Sequence, residues 1–114
     1  MAVALAECCF DTAGIGVEAA VTTVAVSQDD GVNRAAALFG ESASRVIVSA
    51  SPDRAADVLT RAADAGVPAR IVGRTGGTAI RIDVAAVRAI DLPVVEAEHV
   101  WSAAIAQHFA RRVA

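Results

Sequence analysis

The chain has no lysine and no tyrosine, and its 114 residues include only three phenylalanines, one tryptophan, two cysteines, two histidines and three prolines. Each scarcity excludes something. With Phe10, Phe39, Trp101 and Phe109 as the only aromatics, the core must be assembled from alanine, valine, isoleucine and leucine. The ten basic residues are all arginine, scattered from Arg34 to Arg112, and the net charge is −3. That leaves no basic run and no electrostatic footprint for nucleic acid. In so alanine- and valine-rich a chain, arginine in place of lysine reads as codon bias. Cys8 and Cys9 are adjacent, too close in sequence for disulfide geometry, and form no C-x₂-C metal spacing. Within "LAECCF" both read as buried free thiols on a helix, which suits a reducing compartment.

Long apolar runs are missing as well. No charge-free stretch approaches the length of a membrane span. The apolar start "MAVALAECCF" has no basic n-region, carries Glu7, and leads into polar residues rather than a cleavage site. The expectation is a soluble, cytoplasmic protein, with no nucleic acid and no membrane among its partners. What is present is apolar: 55% hydrophobic residues against 20% charged exclude a disordered chain. Length sets one domain, or part of one, over residues 1–114.

Along the chain, residues 2–10 favour a helix but begin without a capping Ser, Thr, Asp or Asn. Such a start reads as the remainder of a longer element. "GIGVEAAVTTVAV" (14–26) predicts a strand from its β-branched residues, "SQDDGVNR" a loop, and "AAALFG" a single helical turn closed by Gly40. "SRVIVSAS" (44–51) predicts a buried strand. The next helix is the most legible element. Ser51 is its N-cap, Pro52 its first residue and Asp53 its dipole complement, with Ala55, Val58, Leu59, Ala62 and Ala65 on one face. Gly66 and Pro68 end it. "ARIVGR" (69–74) predicts the following strand, so that 44–74 reads as a split βαβ unit. "RTGGT" (74–78) reads as the Gly-Gly turn of a hairpin into "AIRIDV" (79–84). "AIDLP" (89–93) adds a short strand. The last helix, from about Val94 to Arg112, carries Ala97, Trp101, Ala104, Ile105 and Phe109 on one face, with Arg111 and Arg112 suited to its negative end. The expected fold is α+β: a mixed, largely antiparallel sheet with helices on one face.

The short polar stretch "ALFGESASR" (37–45) poses the functional question. "GESAS" lacks the final glycine of a nucleophile elbow and precedes a strand where an elbow needs a helix. The residue-level reading is a loop: Gly40 ends a helical turn, Ser42 and Ser44 satisfy loop amides, and Arg45 pairs with a carboxylate such as Glu41. "GRTGGT" has no G-K-[ST] ending and leads into a strand, so it is no P-loop. "GIGVEAA" places its glycines before a strand instead of after one, which is the wrong order for a dinucleotide site. His99 and His108 stand nine residues apart, on opposite faces of one helix. Glu96 and His99 make a single E-x-x-H, where a di-metal site needs a second copy and further glutamates. No acid–base pair emerges.

"LFGESASR" followed by "VIVSASPDRAADVLTRAADAGVPARIVGRTGG" and "AIDLPVVEAEHVWSAAIAQHFARR" resembles the C-terminal end of the synthetase subunit of phosphoribosylformylglycinamidine synthase (FGAM synthetase). In that family "LFGES-x-SR" opens a strand, and a helix, a "GVP" turn, a strand and a "GG" hairpin follow. The resemblance runs from Ala2 to Ala114 and implies the C-terminal-domain fold of aminoimidazole-ribonucleotide (AIR) synthetases, in part. "LAVALAE" normally follows "SDGG" in the family, and Met1 stands where the leucine would be. The resemblance also implies an ATP- and Mg²⁺-dependent ligase of purine synthesis. Such an enzyme activates the formylglycinamide ribonucleotide amide as an iminophosphate, which ammonia from a glutaminase partner displaces.

The family's catalytic histidine, metal ligands and nucleotide motifs lie upstream of the "SDGG" point. The resemblance therefore carries no catalytic or metal residue onto this chain and implies no cofactor held by it alone. Glu41, Ser42, Ser44 and Arg45 become candidates for a cleft-facing or interdomain loop. Ala85–Val87 stand where relatives have a tight "DG" turn. The leading expectation is a truncated piece, inactive alone, whose partners are the rest of the synthetase, a glutaminase and small accessory subunits, with an uncovered face inviting self-association. The alternative is a free-standing, non-catalytic interaction or nucleotide-binding domain.

Overall fold

Four strands and four helices make up the computed structural model, which describes residues 1–23 and 25–112, the last two by their backbone only. In chain order they are α1 (Ala2–Glu7), β1 (Val17–Val21), α2 (Asp30–Phe39), α3 (Pro52–Asp64), β2 (Gly73–Thr75), β3 (Ala79–Val84), β4 (Val87–Pro93) and α4 (Val94–Arg112). The strands form one sheet in the order β2-β1-β3-β4. β1 runs parallel to β3, while the β1–β2 and β3–β4 pairs are antiparallel. The mixed, largely antiparallel sheet of the α+β expectation is thus present.

Alternation along β1 and β3 explains which face is covered. Val17, Ala19 and Val21 of β1 and Ile80, Ile82 and Val84 of β3 point to one side, as a period of two requires. Ala2, Leu5 and Cys9 from the α1 region, Leu38 of α2 and Val94 at the start of α4 close over them. Ile82, Val84 and Val94 are sealed completely. No aromatic residue belongs to this buried cluster, in line with the composition.

Several sequence expectations are corrected. The strand over 14–26 shrinks to Val17–Val21, with Val24 of that stretch lying outside the described residues. The loop and single turn expected over 27–40 are one ten-residue helix. Asp29 caps it, its carboxylate accepting from the Gly31 and Val32 amides at 2.7 and 3.4 Å. Gly31 and Asn33 in the opening turns lower helix propensity and hide this start from a propensity reading. The Gly-Gly segment does not join a hairpin, because β1 lies between β2 and β3. Gly76 and Gly77 instead carry the chain across the end of β1, bonded to Gly16: the Gly16 amide donates to Gly77 O at 2.9 Å, and the Gly76 amide to Gly16 O at 2.8 Å.

The split βαβ unit is not assembled. Residues 45–50 lie outside any strand, and of 69–74 only Gly73 and Arg74 enter the sheet, in the three-residue β2. The helix between them starts and ends where expected, although Ser51 at its N-cap makes no side-chain capping hydrogen bond. Pro52 opens it, and at its end the Gly66 amide reaches Ala63 O (3.0 Å) while Val67 reaches Ala62 O (2.8 Å), with Gly66 at φ +69°. That is the Schellman pattern, in which only glycine holds the left-handed position without penalty. Yet α3 has no buried residue. Ala55, Val58, Leu59 and Ala62 are half-buried, and Ala65 is exposed. The last helix is likewise right in extent and different in burial. Phe10 packs against Trp101 in a tilted arrangement with ring centroids 5.3 Å apart, but Trp101, Ile105 and Phe109 remain 58%, 74% and 62% exposed. The Arg111 and Arg112 side chains, expected to complement its end, lie outside the described residues.

These uncovered faces show in the dimensions. The radius of gyration is 16.4 Å, where a compact chain of this length has about 13 Å. The accessible surface is 8428 Å², against roughly 5,800 Å² for a compact monomer of this mass.

The β3–β4 connection is the two-residue turn Ala85–Ala86, both at positive φ (50° and 64°). A type I′ hairpin turn demands this backbone and favours Asn-Gly, whereas alanine in the left-handed region costs roughly 1–2 kcal/mol per residue. The double substitution Ala85→Asn, Ala86→Gly is expected to stabilise the protein by about 1–2 kcal/mol, seen as a higher thermal midpoint. An unchanged or lowered midpoint would contradict the turn assignment.

Candidate functional site

The "GESASR" loop leaves α2 at Gly40, whose amide caps the helix by donating to Ala36 O at 2.9 Å. Gly40 thus has the helix-ending role expected of it. Glu41, Ser42, Ser44 and Arg45 follow, all exposed, with Ser44 in the left-handed region at φ 64°. The anticipated local network is absent. Among the described residues, neither serine hydrogen-bonds a loop amide and Arg45 pairs with no carboxylate, Glu41 included. The four side chains share a loop but are not drawn into a constellation with one another.

A second group of charges is organised by the sheet. On the face opposite the core, Glu18 of β1 lies in register with Arg74 of β2 and Arg81 of β3. Arg81 Nε donates to Asp91 Oδ1 at 3.3 Å. Arg88 of β4 binds Asp83 through Nε, reaches Glu18 Oε1 at 3.4 Å, and approaches Asp91 Oδ2 at 3.7 Å. The Asp83 hydrogen bond is the first cause raising the Arg88 pKa. Desolvation opposes it, and the charges of Asp83, Asp91 and Glu18 add to it. These alternating signs cross all four strands at partly exposed positions, where each pair contributes little to stability. Their consequence is a charged band across that sheet face. At its end, Glu18, Arg74, Arg81 and the Gly76–Gly77 backbone surround a hollow of about 290 Å³.

A further hollow of about 330 Å³ lies between the α2 start and the β3–β4 turn, lined by Thr23, Asp30, Asn33, Arg34 and Val84 among others. Asn33 is the one buried polar residue among those described, and sequence reading passes over it. Its Oδ1 accepts from the Val26 and Ser27 amides at 2.9 and 3.0 Å, and its Nδ2 donates to Ser27 O at 3.0 Å. All of these bonds fold the 26–27 segment back onto the helix. The amide is therefore a structural clamp. The only sequence signal for it is an asparagine four positions after the capping Asp29.

The cysteines differ from their expected common burial. Cys9 is buried and its Sγ donates to Leu5 O at 3.2 Å, but Cys8 is exposed. Burial, followed by the neighbouring Cys8, pushes the Cys9 thiol up. In the native protein one thiol per chain is expected to react readily with an exposed-thiol reagent, and the Cys8→Ser variant to react only on unfolding. Rapid labelling of that variant in its folded state would refute the assignment.

The histidines lie on α4 as expected, nine positions apart. His108 packs edge-on against Phe109. Among the described residues no group of three or more His, Cys, Asp or Glu side chains could hold a metal ion, and no helix is long and apolar enough to cross a membrane. The Gly-Gly hollow has one carboxylate on its wall, and its Arg81 is engaged by Asp91.

The class defined by this fold is an α+β domain with a one-sided core and no assembled catalytic set among its described residues. Comparison with known proteins gives the family. Residues 1–85 match the model for "AIR synthase related protein, C-terminal domain", and the chain belongs to that family. It is 54% identical over 44 residues to the phosphoribosylformylglycinamidine synthase subunit PurL of Methylocella silvestris, covering 39% of this chain and 6% of that protein. It is 44% identical over 64 residues to PurL of Caldanaerobacter subterraneus, covering 56% and 9%. With PurL of Brucella ovis it shares 35% identity over 81 residues, covering 65% and 11%. The chain thus spans about a tenth or less of the length of these curated relatives. No solved structure gives a significant match.

Proposed function

We propose that this chain acts as a non-catalytic piece of a phosphoribosylformylglycinamidine synthase in purine biosynthesis, contributing C-terminal-domain structure to a larger synthetase. The observation that carries the reading is the pairing of family membership over 1–85 with the absence of an assembled catalytic set in the described residues. The ATP- and Mg²⁺-dependent conversion of formylglycinamide ribonucleotide then belongs to the assembled enzyme, in the cytoplasm, with ammonia supplied by a glutaminase partner. In this reading Glu41, Ser42, Ser44 and Arg45 face a neighbouring domain. Their exposure and lack of side-chain hydrogen bonds among the described residues are what such a loop offers.

The test is complementation of a purine auxotroph that lacks the synthetase subunit. The 114-residue chain alone should not restore growth. A relative's synthetase truncated to end just before the matching segment should be inactive alone and restore growth when co-expressed with this chain. Growth with the chain alone would overturn the proposal, and so would failure of co-expression when the truncated relative rejoined to its own missing segment is active.

A further inference from the structure

We draw no further inference here: the strongest candidate, the exposed apolar face of α4 that carries Trp101, Ile105 and Phe109, carries nothing because nothing in the structure shows what covers it.

Discussion

Ile82→Ala is expected to destabilise the protein by about 2–5 kcal/mol, enough to remove much or all of its folding free energy. Ile82 is fully buried at the middle of β3, the strand that pairs with both β1 and β4. It stands in register with Ala19 on one side and Ile90 on the other, so the cavity left by alanine would lie where the sheet is best connected. The buried set is small: beyond Ile82, only Val84 and Val94 are sealed to the same degree among the described residues. A domain of this size has about 5–15 kcal/mol of stability, and one with so much apolar surface in water should lie at the low end. Urea unfolding should show the midpoint of Ile82→Ala far below that of the parent, or no transition at all. Val46→Ala, which trims an 83% exposed side chain, is the control and should change little within a monomer. Equal midpoints for Ile82→Ala and the parent would mean the core is not where the sheet places it.

How much of the fold is legible in the sequence follows the range of the forces involved. α3 is legible in its bounds because its signals are local: a proline at the first position, helical spacing, and the Gly66 Schellman end. α4 is legible in extent for the same reason. α2 escapes because its cap, Asp29, is followed by Gly31 and Asn33, which a propensity sum counts against a helix. The strands expected over 44–51 and 69–74 rest on apolar runs, which report affinity for a sheet but not whether a partner edge is at hand. Only Gly73 and Arg74 find one. The expected Gly-Gly hairpin fails because pairing of β2 and β3 with each other, or with β1 between them, uses the same local sequence. The candidate loop does lie at the end of α2, and Gly40 does close that helix. The expected Glu41–Arg45 pair is not formed, since proximity in sequence does not hold two exposed side chains together.

Gly16→Ala should be a severely damaging single methyl, lowering stability by about 3 kcal/mol or more. A Cβ at Gly16 would stand 2.2 Å from Ala79 O, 2.6 Å from Ala79 N and 2.8 Å from its carbonyl carbon. All three are backbone atoms of β3, so no side-chain rotation can relieve the contact. The parallel β1–β3 pair begins here, with Val17 against Ile80, and forcing it open also strains the two Gly16 hydrogen bonds to the Gly76–Gly77 turn. The damage should therefore spread to β2, which leads into that turn and is held in the sheet only by its pairing with β1. Gly14 supplies the contrast. It sits at φ +86°, and a Cβ there would meet nothing within 4 Å, so Gly14→Ala should cost only the conformational penalty, about 1–2 kcal/mol. Thermal melts of the two variants separate the mechanisms. Gly16→Ala should fall at least roughly 10 °C below the parent and Gly14→Ala by clearly less. Equal losses would contradict the close approach of β3 to position 16.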